Sequence, residues 1–285
     1  MIASLRDVIE AERSGRERVT EWVKNVNQTT TAGVWYDLSG SSGNPRAKQW
    51  FDATPLVAQP VRQSVDGGIF HGSNVAPATK HLRRMRCSCA SATPLPMTLL
   101  VADYLLYYPT IEDGNTDPQV MDNTLALPRY SDGAGVQMMA VTISARTGGQ
   151  SFYVTYTNQD GVEGRTSGTV VQNAVAAPGT ITTSATAVAG AAGPFIPLQF
   201  GDTGVRRVES VQMLGVDTGF FAVVLVRPLL ETHIRGIDAP HDVDLLVQKA
   251  ELPVIYDDAY ISALALPNGS LSGLAVRGGL RAIWS

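Results

Sequence analysis

From residue 27 onward the chain is a succession of short apolar runs, separated by clusters of Gly, Pro, Asn and Asp. This punctuation most constrains the fold. "MTLLVADYLLYY" (97–108) is the most apolar run, and the Pro residues around it and its closing Tyr pair favour a buried strand over a helix. "VQMMAVTISAR", "FFAVVLVRPL", "DVDLLVQKAEL", "ISALAL" and "GLAVRGGLRAIWS" read as further strands. "SFYVTYTNQDGVEGRT" reads as a hairpin, with Phe152, Val154 and Tyr156 on one face and Asp160–Gly161 in the turn. Many strands with few helical patterns between them predict an all-β fold, a sandwich or barrel of mainly antiparallel strands.

The N-terminus reads differently. Ser4 and Asp7 have the spacing of a capping box, followed by Leu5, Val8 and Ile9 on one helical face. Val19, Trp22, Val23 and Val26 repeat that stripe beyond Ser14–Gly15. The expected organisation is an amphipathic helical arm over residues 1–28 and a β-rich structural domain over 29–285, in one unit or two packed subdomains. Removing residues 1–25 is then expected to leave the β domain folded.

Residues 166–201 carry no charged side chain. Their Gly, Pro and β-branched content argues against a helix, and Pro178, Gly179, Gly193 and Pro194 against a membrane span. A stretch covered by the protein's own sheets or by neighbouring copies, and a mobile linker, both remain open. Only 17% of the chain is charged, below the usual quarter or so of a domain. A surface that meets protein is the expected cause, with Val188 and Ile196 as contact residues.

The net charge of −4 argues against a general nucleic-acid binder. The basic run "KHLRRMRC" reads as a charged strand edge, with Lys80, Arg84 and Arg86 on one side and His81 and Arg83 on the other. Cys87 and Cys89, the only cysteines, share one strand face and read as buried thiols.

Sequence signatures of catalysis are missing: there is no H-E-x-x-H, nucleophile elbow or phosphate-binding glycine loop. Asp113, Asn115 and Asp117 alternate like the start of a calcium loop, but Pro118 and Thr124 stand where it needs Gly and Glu. His241, Asp242 and Asp244 do not make a ligand set by spacing alone. No catalytic residue, metal or cofactor is expected.

"TTTAGVWYDLSGSSGNP", "DYLLYYPTIEDGNTDPQVMDNTLALPRYSDGAGVQ", "GPFIPLQFGDTGVRRVESVQ", "VVLVRPL", "IYDDAYI" and the closing "IWS" resemble virion structural proteins of tailed bacteriophages. The resemblance implies a non-catalytic particle component, located in the virion and made in the bacterial cytoplasm. A capsid cement or decoration protein is the expected role, with other copies of itself (a trimer) and the major capsid or other virion proteins as partners, and without membrane or nucleic acid. The contact residues expected are Leu5, Val8, Ile9, Trp22 and Val23 on the arm, and Trp35, Tyr36, Trp50 and Phe51 as exposed aromatic anchors. The alternative is a tail, collar or fibre component that binds a host surface glycan through Trp and Tyr beside Asp and Asn in "TAGVWYD" and "YSDG".

Overall fold

The computed structural model describes residues 2, 4–173, 175–182, 193–249 and 251–285. They form an all-β sandwich of antiparallel sheets with a short helix α1 (Leu5–Arg13) at the N-terminus. Ten longer strands carry it: β1 (Glu17–Val26), β2 (Lys80–Cys89), β3 (Met97–Glu112), β4 (Gln137–Thr147), β5 (Ser151–Asn158), β6 (Val205–Met213), β7 (Thr218–Ile234), β8 (His241–Asp244), β9 (Tyr260–Pro267) and β10 (Leu274–Trp284).

The central sheet runs β4-β7-β3-β9, flanked by Val175–Ala176 on one edge and Tyr36–Asp37 on the other. Its two longest strands, β3 and β7, are long enough to carry a different sheet over each half of one face. Over the first half lies the sheet β8-β2-β10-β1, with Ser42–Asn44 beyond β1. Between them Leu99, Val101, Leu230 and Ile261 meet Trp22, Met85, Cys87 and Leu280. Over the other half lies β5-β6, where Leu105, Tyr108, Phe221 and Val223 meet Phe152, Val154, Tyr156 and Val208. The opposite face of the central sheet is covered by loops, in a third cluster around Trp35, Trp50, Tyr104 and Tyr260.

Alternation along β9 shows how the sheet serves two cores: Ile261 and Ala263 point to one cluster, Tyr260 and Leu264 to the other. The hairpin of Phe152, Val154 and Tyr156 is present, with Arg165–Thr166 returning along β5. Cys87 and Cys89 are both free and buried, and burial pushes the Cys87 thiol up to about 12.

The N-terminal arm is a correction. The helix stops at Arg13, and residues 17–26 are strand β1, paired with β10 from Glu17↔Ile283 to Val26↔Leu274. Trp22 is therefore core, not arm, and Val23 is half-buried on the opposite side of the strand. Lys24 hides the alternation: it is 2% exposed, and its Nζ donates to the carbonyls of Ser39 (3.2 Å), Ser41 (3.1 Å) and Arg46 (3.2 Å). "DVDLLVQ" also differs from its expected strand, because Asp244 caps a helical turn at Leu245–Gln248 by accepting from Leu246 N–H.

The basic run is corrected as well. Lys80 points inward with Leu82, whereas Arg84 and Arg86 are exposed. A bulge opposite Arg281 and Ala282 of β10 inserts one residue between them and reverses the facing.

Most of the described part of the uncharged stretch 166–201 is covered by the protein itself, while Thr166 and residues 199–201 are exposed, Phe200 completely. Val170 and Ile196 belong to the core under β5-β6, and Ile181 to the cluster around Trp50. Ile196 is thus a core residue rather than a contact residue. Val188 lies outside the described residues.

Candidate functional site

The capping box forms: Asp7 N–H donates to Ser4 Oγ (3.3 Å) and Ser4 N–H to Asp7 Oδ2 (2.9 Å). Val8 and Ala11 pack into the core, and Glu12 moors the helix to Arg83 (3.5 Å) and Arg281 (3.6 Å). That leaves Leu5 (63% exposed) and Ile9 (57% exposed), four residues apart, on the outer face. Of the expected arm contacts, these two are free to meet a neighbour; Val8 and Trp22 are buried.

Trp35 and Trp50 come together inside the protein, and Tyr36 is buried in the separate cluster with Leu99 and Val101. Trp50 stacks on Tyr104 (5.5 Å, 10°) and meets Tyr107 (5.3 Å) and Tyr260 (6.3 Å). The cluster is organised by Asp37, 1% exposed. Its carboxylate accepts from Trp50 Nε1 (2.6 Å), Tyr104 Oη (2.8 Å), and the hydroxyl and N–H of Ser39 (2.5 and 3.0 Å). Lys48 beside it pairs with Asp52 (2.7 Å) and Asp66 (3.0 Å). The space left beside Tyr36, Asp37, Lys48 and Trp50 is about 60 Å³, against roughly 300 Å³ or more for a ligand pocket. These aromatics are core residues and not exposed anchors; Phe51, 51% exposed, is the one that faces out.

The candidate metal residues do not converge. Asp113 is buried, accepting from Gln172 Nε2 (2.7 Å) with Arg146 Nε 3.4 Å away, while Asn115 accepts from Asp117 N–H (2.9 Å) in a turn. Asp242 pairs with Arg84 (3.0 Å) and Asp244 with Arg83, leaving His241 without them. Among the described residues no three His, Cys, Asp or Glu side chains group as a metal site would. Arg86 pairs with Glu21, so the exposed arginines of the basic run are neutralised within their own sheet.

His71 and Lys80 form a buried polar pair that the sequence did not single out. His71, with no exposed surface, donates from Nε2 to the Ala259 carbonyl (2.9 Å) and accepts at Nδ1 from Lys80 Nζ (3.2 Å). Lys80 also donates to the Ser73 carbonyl (2.9 Å) and pairs with Asp257 (3.2 Å). Burial, and then the Lys80 charge, lower His71 to about 4. A depressed folded value means stability that is fully present above the unfolded pKa near 6.5 and lost as pH falls towards 4. The expected loss is about 3 kcal/mol over that window. Urea unfolding at pH 7 and pH 4 should show a smaller loss for His71→Gln than for the wild type. Equal losses would remove His71 as the source.

Sequence reasoning also missed a notch where the two covering sheets part. Tyr130, Arg227, Lys249, Glu251 and Tyr256 line it, with a cavity of about 300 Å³. They come from three distant segments, and no local pattern links them.

The fold defines the class: an all-β sandwich protein with one short N-terminal helix. No helix among the described residues is long and apolar enough to cross a membrane. No protein-family description matches the chain, and no curated protein does. Among solved structures, infectious bursal disease virus of the Gt strain aligns at 10% identity and TM-score 0.20, covering 94% of this chain and 80% of that one. The Gx strain aligns at 8% identity and TM-score 0.17, covering 94% and 81%. The VP2 subviral particle of the same virus aligns at 7% and TM-score 0.15, with the same coverage. Alignments at these scores carry no argument about fold or role.

Proposed function

We propose that this chain is a structural, non-catalytic subunit of a tailed-phage particle, acting as a capsid-associated cement or decoration protein. It would work in the virion, after synthesis in the bacterial cytoplasm, by packing against copies of itself in a closed ring such as a trimer and against the major capsid or other virion proteins. The sequence blocks quoted above support the reading by their resemblance to such proteins. The structural observation that carries it is the outer face of α1. Leu5 and Ile9 are exposed on a helix whose other side, Val8 and Ala11, is already fixed in the core. A rigidly held apolar pair is suited to a protein contact, because little further entropy is lost on docking.

The glycan-binding alternative loses the "TAGVWYD" half of its platform, since Trp35 and Tyr36 are buried and Asp37 is fully engaged, whereas Tyr130, Ser131 and Asp132 of "YSDG" keep exposed surface.

Leu5→Asp combined with Ile9→Asp tests the proposal. The melting temperature should stay near that of the wild type, since both side chains lie outside the core. Self-association by light scattering and incorporation into particles should both fall. Wild-type assembly by the double variant would refute the assignment of this helix face.

A further inference from the structure

We propose that the notch between the two covering sheets is a binding site for a monocarboxylate carried beside an apolar or aromatic group. This inference is independent of the virion role.

The walls come from β7 (Arg227, Pro228, Leu229), from the loop bearing Tyr130 and from residues 249–256. Tyr130 and Tyr256 meet edge to face, with centroids 4.8 Å apart at 80°. The Arg227 guanidinium lies over the Tyr130 ring at 5.6 Å. Its Nη1 donates to the Ala134 carbonyl (2.6 Å). The adjoining Gly135, at φ +67°, leaves room for it: a Cβ there would fall 1.3 Å from Nη1. Tyr130 is itself held at φ +51°, a conformation that costs a non-glycine residue energy and that is enriched where a side chain must be aimed. Arg227 is thus fixed on one edge, and its Nε and Nη2 make no hydrogen bond among the described residues.

Lys249, on the other side, donates to the Leu229 carbonyl (2.6 Å). Neither cation has a carboxylate within ion-pair distance among the described residues. The carboxylate opposite Arg227 on β3 is Asp103, but both of its oxygens are taken by Arg129, at 2.9 and 2.7 Å. Burial and the charge of Arg227 lower the Lys249 pKa, so the two cations sense each other. An anion between them would relieve that repulsion.

The free edge of a guanidinium matches the two oxygens of a carboxylate, and the tyrosine pair offers an apolar wall beside it. Glu251 at the rim sets the charge, because a second negative charge on the ligand would face it. A monoanion is therefore favoured over phosphate. The carboxylate can come from a free acid or from an acidic side chain of a neighbouring polypeptide, which present the same chemistry.

Calorimetric titration of the full chain separates these cases, using phenylacetate, its uncharged twin phenylacetamide, inorganic phosphate, and an end-capped Phe-Ala-Glu peptide with its Phe-Ala-Gln twin. Phenylacetate or the Glu peptide should bind at least about tenfold tighter than its uncharged twin, the worth of one charge-assisted hydrogen bond. Phosphate should bind more weakly than the preferred acid. Arg227→Gln should abolish the preference, Lys249→Gln should reduce it several-fold, and Glu251→Gln should lessen the discrimination against phosphate. Lys249→Gln guards the test, because Arg227 also braces the loop at Ala134 while Lys249 is exposed. Preference for the peptide points to a neighbouring chain, and preference for the free acid to a small molecule. No saturable binding of either acid, equal binding of acid and amide, or an unchanged preference in a folded Lys249→Gln protein would overturn the proposal.

Discussion

Replacing Arg129 by alanine is expected to cost about 3–5 kcal/mol of folding stability at pH 7. Asp103 sits on β3 where the two covering sheets part, 1% exposed. Arg129 bonds both its oxygens and also donates to the carbonyls of Tyr104 (2.8 Å), Asp258 (3.0 Å) and Val61 (3.1 Å). One side chain thereby ties the central sheet to two loops. Without it a carboxylate and the carbonyls of Tyr104, Asp258 and Val61 lose an arginine donor in a place water reaches poorly. Among the described residues the Tyr260 N–H (3.1 Å) still serves Asp103 and the Gln63 N–H (3.2 Å) the Asp258 carbonyl.

The pH dependence gives the same prediction a second readout. Burial already pushes Asp103 up to about 6 with Arg129 in place. A carboxyl raised in the folded state favours folding at low pH and loses that contribution as pH rises through its folded value. The defect of Arg129→Ala should therefore shrink as pH falls from 7 towards 5. Asp103→Leu with Arg129→Met should be less damaging than Arg129→Ala, because no unpaired charge remains buried. Urea unfolding of the three proteins decides it, and a cost below about 1 kcal/mol for Arg129→Ala would show that the pair is not a structural tie.

Strands β3 and β9 of the central sheet were legible because their side chains obey the expected pattern: the apolar run of β3 and the alternation of β9 between two cores follow directly from burial. The first strand was not. Val19, Trp22, Val23 and Val26 fall at helical spacing, while the true inward set is Trp22, Lys24 and Val26. A buried lysine satisfied by three carbonyls from a later loop cannot be foreseen from its neighbours. Lys80 misled for a related reason, since a bulge paired with β10 turned its strand over. "GLAVRGGLRAIWS" reads as a strand and forms β10, but the sequence gives no hint of what its glycine pair does. In the structure Gly278 gives Trp22 its place on the inner face, and Gly279 lets Arg86 reach Glu21 across the outer face. Trp35 and Trp50 suggested exposed anchors because the sequence does not reveal that both lie in the buried cluster with Tyr104 and Tyr260, where Asp37 accepts from Trp50. The notch, built from residues around 130, 227 and 250, was signalled locally only by Tyr130 in "YSDG", with nothing to link it to Arg227 or Lys249.

Truncation should separate the helix from the strand that follows it. Removal of residues 1–14 is expected to leave a cooperatively folded protein, weakened by loss of the Val8 and Ala11 contacts, a cost of about 2–4 kcal/mol. Removal of residues 1–25 is expected to abolish folding, the opposite of what a helical arm would allow. That cut deletes the partner of β10 over nearly its whole length and the strand that holds Ser42–Asn44 in place. It also removes Trp22, whose indole lies 2.5 Å from where a Cβ on Gly278 would be, so no other side chain of β10 can fill the space without rebuilding the strand. Loss of a buried tryptophan alone costs about 3–5 kcal/mol, against a total stability of about 5–15 kcal/mol. The backbone edge of β10 would then be exposed in the middle of an apolar sheet, which favours aggregation over refolding. Circular dichroism and size-exclusion chromatography of the two truncated chains provide the check. A cooperative melt of the shorter chain near that of the full protein would mean that β1 is dispensable and that the core closes without Trp22.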